Sequence, residues 1–283
     1  MARETLFVTL GDIRYRIERP WGDLPPCGRV TDVACDSRGH VFALLRSDGY
    51  VDPDGPAVVE LDPSGRRIAA WGGDVIADGH MIAIGSDDRI YVIDRDAHEI
   101  VVFDTTGKPV GSIGERHRPG QPFCHPCDVA VAASGDIYVA DGYGASHVHH
   151  FSADGRLLST WGTPGSDPGQ FTTPHAVCVL ADGRVAVADR ENNRIQLFSA
   201  DGKFLDLWHD FYKPMDIFLD SLGRILVTDQ VPRLSAVSDH GALVGRCRPV
   251  LNGAHGLTGD GTGHIYLAEG TPSRISRMVP DVR

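Results

Sequence analysis

Short runs of alternating apolar and polar residues cover most of the chain, separated by turns rich in Gly, Asp and Ser. Ile13-Arg-Tyr-Arg-Ile17 is a strict case. A period of two predicts β-strands, because successive side chains point to opposite faces. No stretch keeps a 3.6-residue period over three turns, so helix is expected to be minor.

The runs form a repeating phrase: an apolar strand, a turn with Gly, a second strand, and an acidic residue. Copies run over Val33–Leu45, Ile82–Asp94, Val129–Asp141, Ala176–Asp189, Ile217–Asp229 and Leu257–Glu269. Five end on Asp94, Asp141, Asp189, Asp229 and Glu269, spaced by 47, 48, 40 and 40 residues, while in the first copy Arg46 stands at the acidic place. Hairpin turns recur between them, among them Asp62-Pro-Ser-Gly65, Asp104-Thr-Thr-Gly107 and Ala200-Asp-Gly202. About four strands per period of this length is the pattern of a β-propeller blade. Six copies predict an all-β, six-bladed β-propeller, one domain over residues 1–283. The last copy runs out near Met278, and Leu6–Leu10 and Ile13–Ile17 are spare strands at the other end. The N-terminal segment is therefore expected to complete the last blade and close the ring, removing its exposed edges.

Composition narrows the function. The chain has 27 Lys and Arg against 38 Asp and Glu, a formal charge of −11. That charge repels phosphate backbones and disfavours nucleic acid as a partner. No apolar run approaches the ~20 residues that span a bilayer, so a membrane is not expected either. The first residues lack the apolar core of a leader, which makes the cytoplasm the expected compartment. Six cysteines in 283 residues do not form a disulfide scaffold.

Aligning the copies places Thr31, His80, Cys127, His175, Met215 and His255 at the start of the innermost strands. Histidine occupies alternate blades, about 120° apart in a six-fold ring. Three imidazoles meeting at the axis leave one side open, as a catalytic zinc-type site requires. Imidazole also suits iron, copper or nickel, so the expected cofactor is Zn²⁺ or another divalent transition metal. Cys124-His-Pro-Cys127 has redox spacing but no helix after it, and Cys127 could instead touch the axial site. His147-Val-His-His150 divides between two strand faces and reads as packing and surface. Asp94-Arg95 and Asp229-Gln230 fall at the place of Asp189-Arg190 and could line the same mouth, with structural hydrogen bonding the default.

Trp71-Gly72, Trp161-Gly162, Gln170-Phe-Thr-Thr-Pro174 and Arg190-Glu-Asn-Asn-Arg-Ile-Gln196 resemble NHL repeats, most closely in blades three and four. Cys124–Val131, Asp141-Gly-Tyr143, Gly169–His175 and Val187–Gln196 are similar to the lyase half of peptidylglycine α-amidating enzyme. That resemblance implies a six-bladed propeller with a His₃ zinc that splits a peptidyl-α-hydroxyglycine into an amide and glyoxylate. It places the zinc ligands on His80, His175 and His255, the catalytic tyrosine on Tyr143, and two active-site arginines, for catalysis or substrate binding, on Arg46 and Arg190. The expected partner is a small-molecule or peptide-like substrate with an α-hydroxy acid. A phenol is a poor base at neutral pH, and the nearby arginines and metal are expected to favour phenolate. The family's calcium takes a carboxylate from the residue after the third histidine, which here is Gly256, so Ca²⁺ is left open. A family disulfide would join Cys124 to position 144, which here is Gly144. Two alternatives stand beside the lyase: a metal-dependent propeller hydrolase of lactonase or esterase type, which predicts carboxylate or Asn ligands, and a non-catalytic NHL interaction module.

Overall fold

The computed structural model describes residues 5–46 and 55–281. Among them are 25 strands in six antiparallel sheets, arranged as the six blades of a β-propeller. The one helical segment among the described residues is a short 3₁₀ turn, Arg190–Asn192. The innermost strands are Arg29–Cys35, Gly79–Ile84, Asp128–Val131, Pro174–Val179, Pro214–Leu219 and Gly256–Gly259. The sixth blade has five strands and closes the ring as the spare N-terminal strands predict. Ile13–Trp21 pairs with Ser273–Pro280, and Leu6–Leu10 covers its outer edge.

The tryptophans that end the outer strands of blades one and three pack on glycines of the next blade. Trp71 ends the outer strand of blade one and lies over Gly107, in the outer hairpin of blade two; a Cβ there would come within 2.5 Å of the indole. Trp161 of blade three covers Gly202 of blade four in the same way, at 2.6 Å. Both glycines also have positive φ, 80° and 88°. The turn and the blade contact thus demand the same residue.

The recurring acidic residue is structural. Asp94, Asp141, Asp189 and Asp229 are buried at the end of each blade's second strand. Each carboxylate accepts the backbone N–H of the residue 17 positions earlier: Ala77, Cys124, Thr172 and Tyr212. Glu269 closes its blade by accepting from Arg274 and Ser276. These bonds fix the loop that leads into each blade, and with it the rim residue that follows each acid.

Candidate metal centre and active site

The start of each inner strand carries chemistry in strict alternation. In even blades it is histidine: His80, His175 and His255. In odd blades it is an aspartate one residue further on: Asp32, Asp128 and Asp216. Each histidine Nδ1–H donates to a backbone carbonyl of the next blade: His80 to Cys127 at 2.6 Å, His175 to Met215 at 2.7 Å, His255 to Thr31 at 2.9 Å. Each aspartate accepts its own following N–H with one oxygen. Its other oxygen takes an N–H of the next blade, from Ile82, Val177 and Leu257, each at 2.7–2.8 Å. Those donors lie two residues past the histidines. All six blade interfaces are therefore stapled at the axis, alternately by His and Asp. The thiol of Cys127 takes no part; its carbonyl does.

The tautomer follows from these bonds. A carbonyl only accepts, so each Nδ1 bears the proton and each Nε2 keeps a lone pair. The three rings stand edge to face with centroids 5.0, 5.1 and 5.2 Å apart. One ligand nitrogen from each lies within 4.8 Å of the others. His80 and His175 are buried and His255 is partly exposed. Burial holds all three below the ordinary imidazole value, with neighbouring imidazoles adding to it for His80 and His175, and brings His255 down to about 4. Three neutral imidazoles aiming lone pairs into one space is a donor set for a transition metal.

Tyr143 stands over this set. Its hydroxyl lies 3.2 Å from His80 Nε2 and 3.1 Å from His175 Nε2. One O–H can donate to only one of them, so the remaining lone pairs find no proton among the described residues. Arg190 Nη1 donates to the same oxygen at 3.1 Å, and Glu191 holds Arg190 Nε at 3.0 Å. Burial raises the phenol above its ordinary value, while Arg190 and then Arg95 pull it down. The second cation on Tyr143 is thus Arg95, with its Cζ 5.4 Å from the ring centre. Arg46 is held elsewhere. Its Nε and Nη2 grip both oxygens of Asp78 at 2.5 and 2.9 Å, and Arg95 Nη2 binds Asp78 at 2.6 Å. Arg46 is 35% exposed and Arg190 14%.

Other groups resolve as structure. His147 binds the Gly162 carbonyl, His149 sits between Thr160 and Asp141, and His150 stacks on Tyr138. Asp36, His40 and Glu60 also group closely, but the Arg38 guanidinium already bridges their carboxylates. Cys35, Cys124, Cys127, Cys178 and Cys247 are free thiols. Burial raises the Cys124 and Cys127 thiols above their ordinary value, which disfavours the thiolate that redox chemistry uses. A Cβ on Gly144 would meet the Cys124 sulfur, so thiol and glycine fit each other where the family pairs two cysteines. A Cβ on Gly256 would fall within the Asp32 carboxylate, which fills the space beside the third histidine.

The NHL repeat family matches residues 123–151 and 171–198. The chain carries NHL repeats. A probable peptidyl-α-hydroxyglycine α-amidating lyase of Caenorhabditis elegans is 32% identical over 196 residues, 61% of this chain and 56% of that protein. The chain thus spans little more than half the length of that relative. NHL repeat-containing protein 3 of Homo sapiens is 27% identical over 299 residues, covering 95% of this chain and 85% of its own. Among solved structures, a gluconolactonase from Xanthomonas campestris superposes with a TM-score of 0.72 at 16% identity, covering 96% of this chain and 91% of its own, a likeness of fold alone. The resemblance to amidating lyases rests on identity, on the repeats and on the six blades together.

Proposed function

We propose that this protein is a metal-dependent lyase that cleaves an N-acyl-α-hydroxyglycine into an amide and glyoxylate. The observation that carries the reading is the convergence of three neutral imidazole nitrogens beneath the Tyr143 hydroxyl, with Arg190 on the same oxygen. His80, His175 and His255 would hold Zn²⁺ or another divalent transition metal. When bound, such an ion supplies a Lewis acid that makes a neighbouring hydroxyl more acidic. The lactonase alternative predicts a carboxylate or Asn in the donor set, and the set contains only histidine.

The chain's own residues supply the rest. Tyr143, drawn toward phenolate by Arg190 and by a cation on the histidines against the burial that raises its phenol, takes the proton of the substrate's hydroxyl. The carbon–nitrogen bond then breaks as the aldehyde carbonyl forms, and the proton returns from Tyr143 to the departing amide nitrogen. Protons and electrons balance without a co-reactant. Arg190 donates to the tyrosine oxygen and so favours its anionic form. Arg46 is pinned on one edge by Asp78 and more open than Arg190, which supports it as the holder of the substrate carboxylate.

The test is glyoxylate release from α-hydroxyhippurate by zinc-loaded protein. Release above the spontaneous rate, lost in His175→Ala, supports the lyase. No release under any metal would overturn it.

A further inference from the structure

At the rim, Arg95, Arg190, Gln230 and Gly270 each stand one place past the acid of their second strand, Tyr143 stands two places past Asp141, and the register of blade one puts Leu45 at the acid's place with Arg46 just past it. Charge is confined to one arc of this ring. Blades one, two and four place guanidinium groups there. Blades five and six bring only Gln230 and Gly270 and enclose a cleft of about 360 Å³ beside His255. Arg95 is the member of the arc to which the proposed reaction gives no role. Asp96 holds its Nε at 2.9 Å and Asp78 its Nη2 at 2.6 Å. These two carboxylates fix the plane of the guanidinium beside the Tyr143 ring and leave its Nη1 without a partner among the described residues. Arg46, on the same Asp78, keeps its own Nη1 in the same state. Asp78 and Asp96 balance the charge of the two guanidinium groups, so what the pair offers an anion is its two unengaged Nη1 donors. The phenol oxygen faces Arg190, whose Nε is already held by Glu191.

We propose that Arg95 and Arg46 together form the clamp for the substrate's carboxylate, so that Arg95 sets a preference for α-hydroxy acids with one negative charge at that end. The proposal rests on the lyase reading for the identity of the substrate, but not for the anion preference itself. The clamp orients the acid toward blades one and two. The N-acyl group then points across the axis to the cleft between blades five and six, where the one acid of the lining, Asp229, is already paired with Arg233. Two guanidinium groups converging on one carboxylate give directional, charge-assisted bonds that a neutral amide in the same place cannot match.

The test is calorimetric binding of hippurate and of hippuramide, neither of which carries the hydroxyl needed for cleavage, to zinc-loaded protein. The parent should bind the acid more tightly than the amide. Arg95→Gln should reduce that preference about 10- to 100-fold, the worth of one charge-assisted bond, with hippuramide affinity little changed. Arg95→Lys should restore part of it. Equal losses for both ligands would show that Arg95 only supports the fold of the mouth, and an unchanged preference would show that it does not touch the acid; either overturns the proposal, as does a parent without preference. Failure of the parallel glyoxylate assay with an intact Arg95-dependent preference would sink the lyase reading and leave the clamp standing.

Discussion

Replacing Asp128 with alanine tests the alternating staple directly. The carboxylate accepts from Val129 N at 2.7 Å and from Val177 N at 2.8 Å, and both donors are buried. Leaving two buried N–H groups unpaired costs about 1–3 kcal/mol each. The loss is partly offset, because burial already pushes the Asp128 acid up to about 7. A net destabilisation of about 2–4 kcal/mol is expected. With an unfolding entropy of roughly 2.1 cal/mol/K per residue, that lowers Tm by about 3–7 °C in calorimetry. An asparagine in its place would keep the volume but turn an N–H₂ toward one of the donors, so Asp128→Asn should not rescue. Val177 lies two residues beyond His175, so zinc affinity should also fall, by about 10-fold. The sign of the pH effect follows from the raised acid. Its stabilising contribution is present below the unfolded carboxylate value and is lost as pH rises toward 7. The deficit of the alanine variant should therefore be wider near pH 4.5 than near pH 7.5. The three histidines act in the opposite sense, which is why variant and parent are compared at each pH. An alanine variant that melts within about 1 °C of the parent and binds zinc equally well would refute the reasoning.

Further outcomes are expected. Tyr143→Phe should lower kcat for α-hydroxyhippurate by about 10²–10⁴-fold while the protein still binds one equivalent of zinc, because only a proton carrier is removed. Arg190→Ala should act mainly on kcat, through the tyrosine oxygen, and Arg46→Ala mainly on KM; the reverse split in steady-state kinetics would exchange their roles. Gly256→Ala should destabilise the fold, since its methyl meets the Asp32 carboxylate, and Asp32→Ala in the same chain should recover part of the loss in thermal melts.

The blade architecture was legible in the sequence because blades two to five repeat the same physical need. The acid at the end of the second strand must hold the loop 17 residues upstream, and the outer turn must leave room for the neighbouring tryptophan. The three axial histidines were legible for the same reason, as one position read across aligned copies. The aspartates stand one place further on, in the blades between, and show only when that next position is aligned too. Arg95 could be placed at the mouth by its equivalence to Arg190, but its bond to Asp78 could not. That contact joins a rim residue to the loop before its own blade, and no periodicity encodes it. Tyr143 took a second cation from Arg95 where Arg46 was expected, because Asp78 draws Arg46 aside.

The central claim is that His80, His175 and His255 hold one transition metal. Elemental analysis of untagged protein, beside a His80→Ala, His175→Ala, His255→Ala variant that keeps its β-sheet circular dichroism, tests it most directly. About one transition metal per chain is expected in the parent and none in the variant. A parent that takes up no metal after reconstitution, or a variant that retains it, would rule out a metal site on these three histidines.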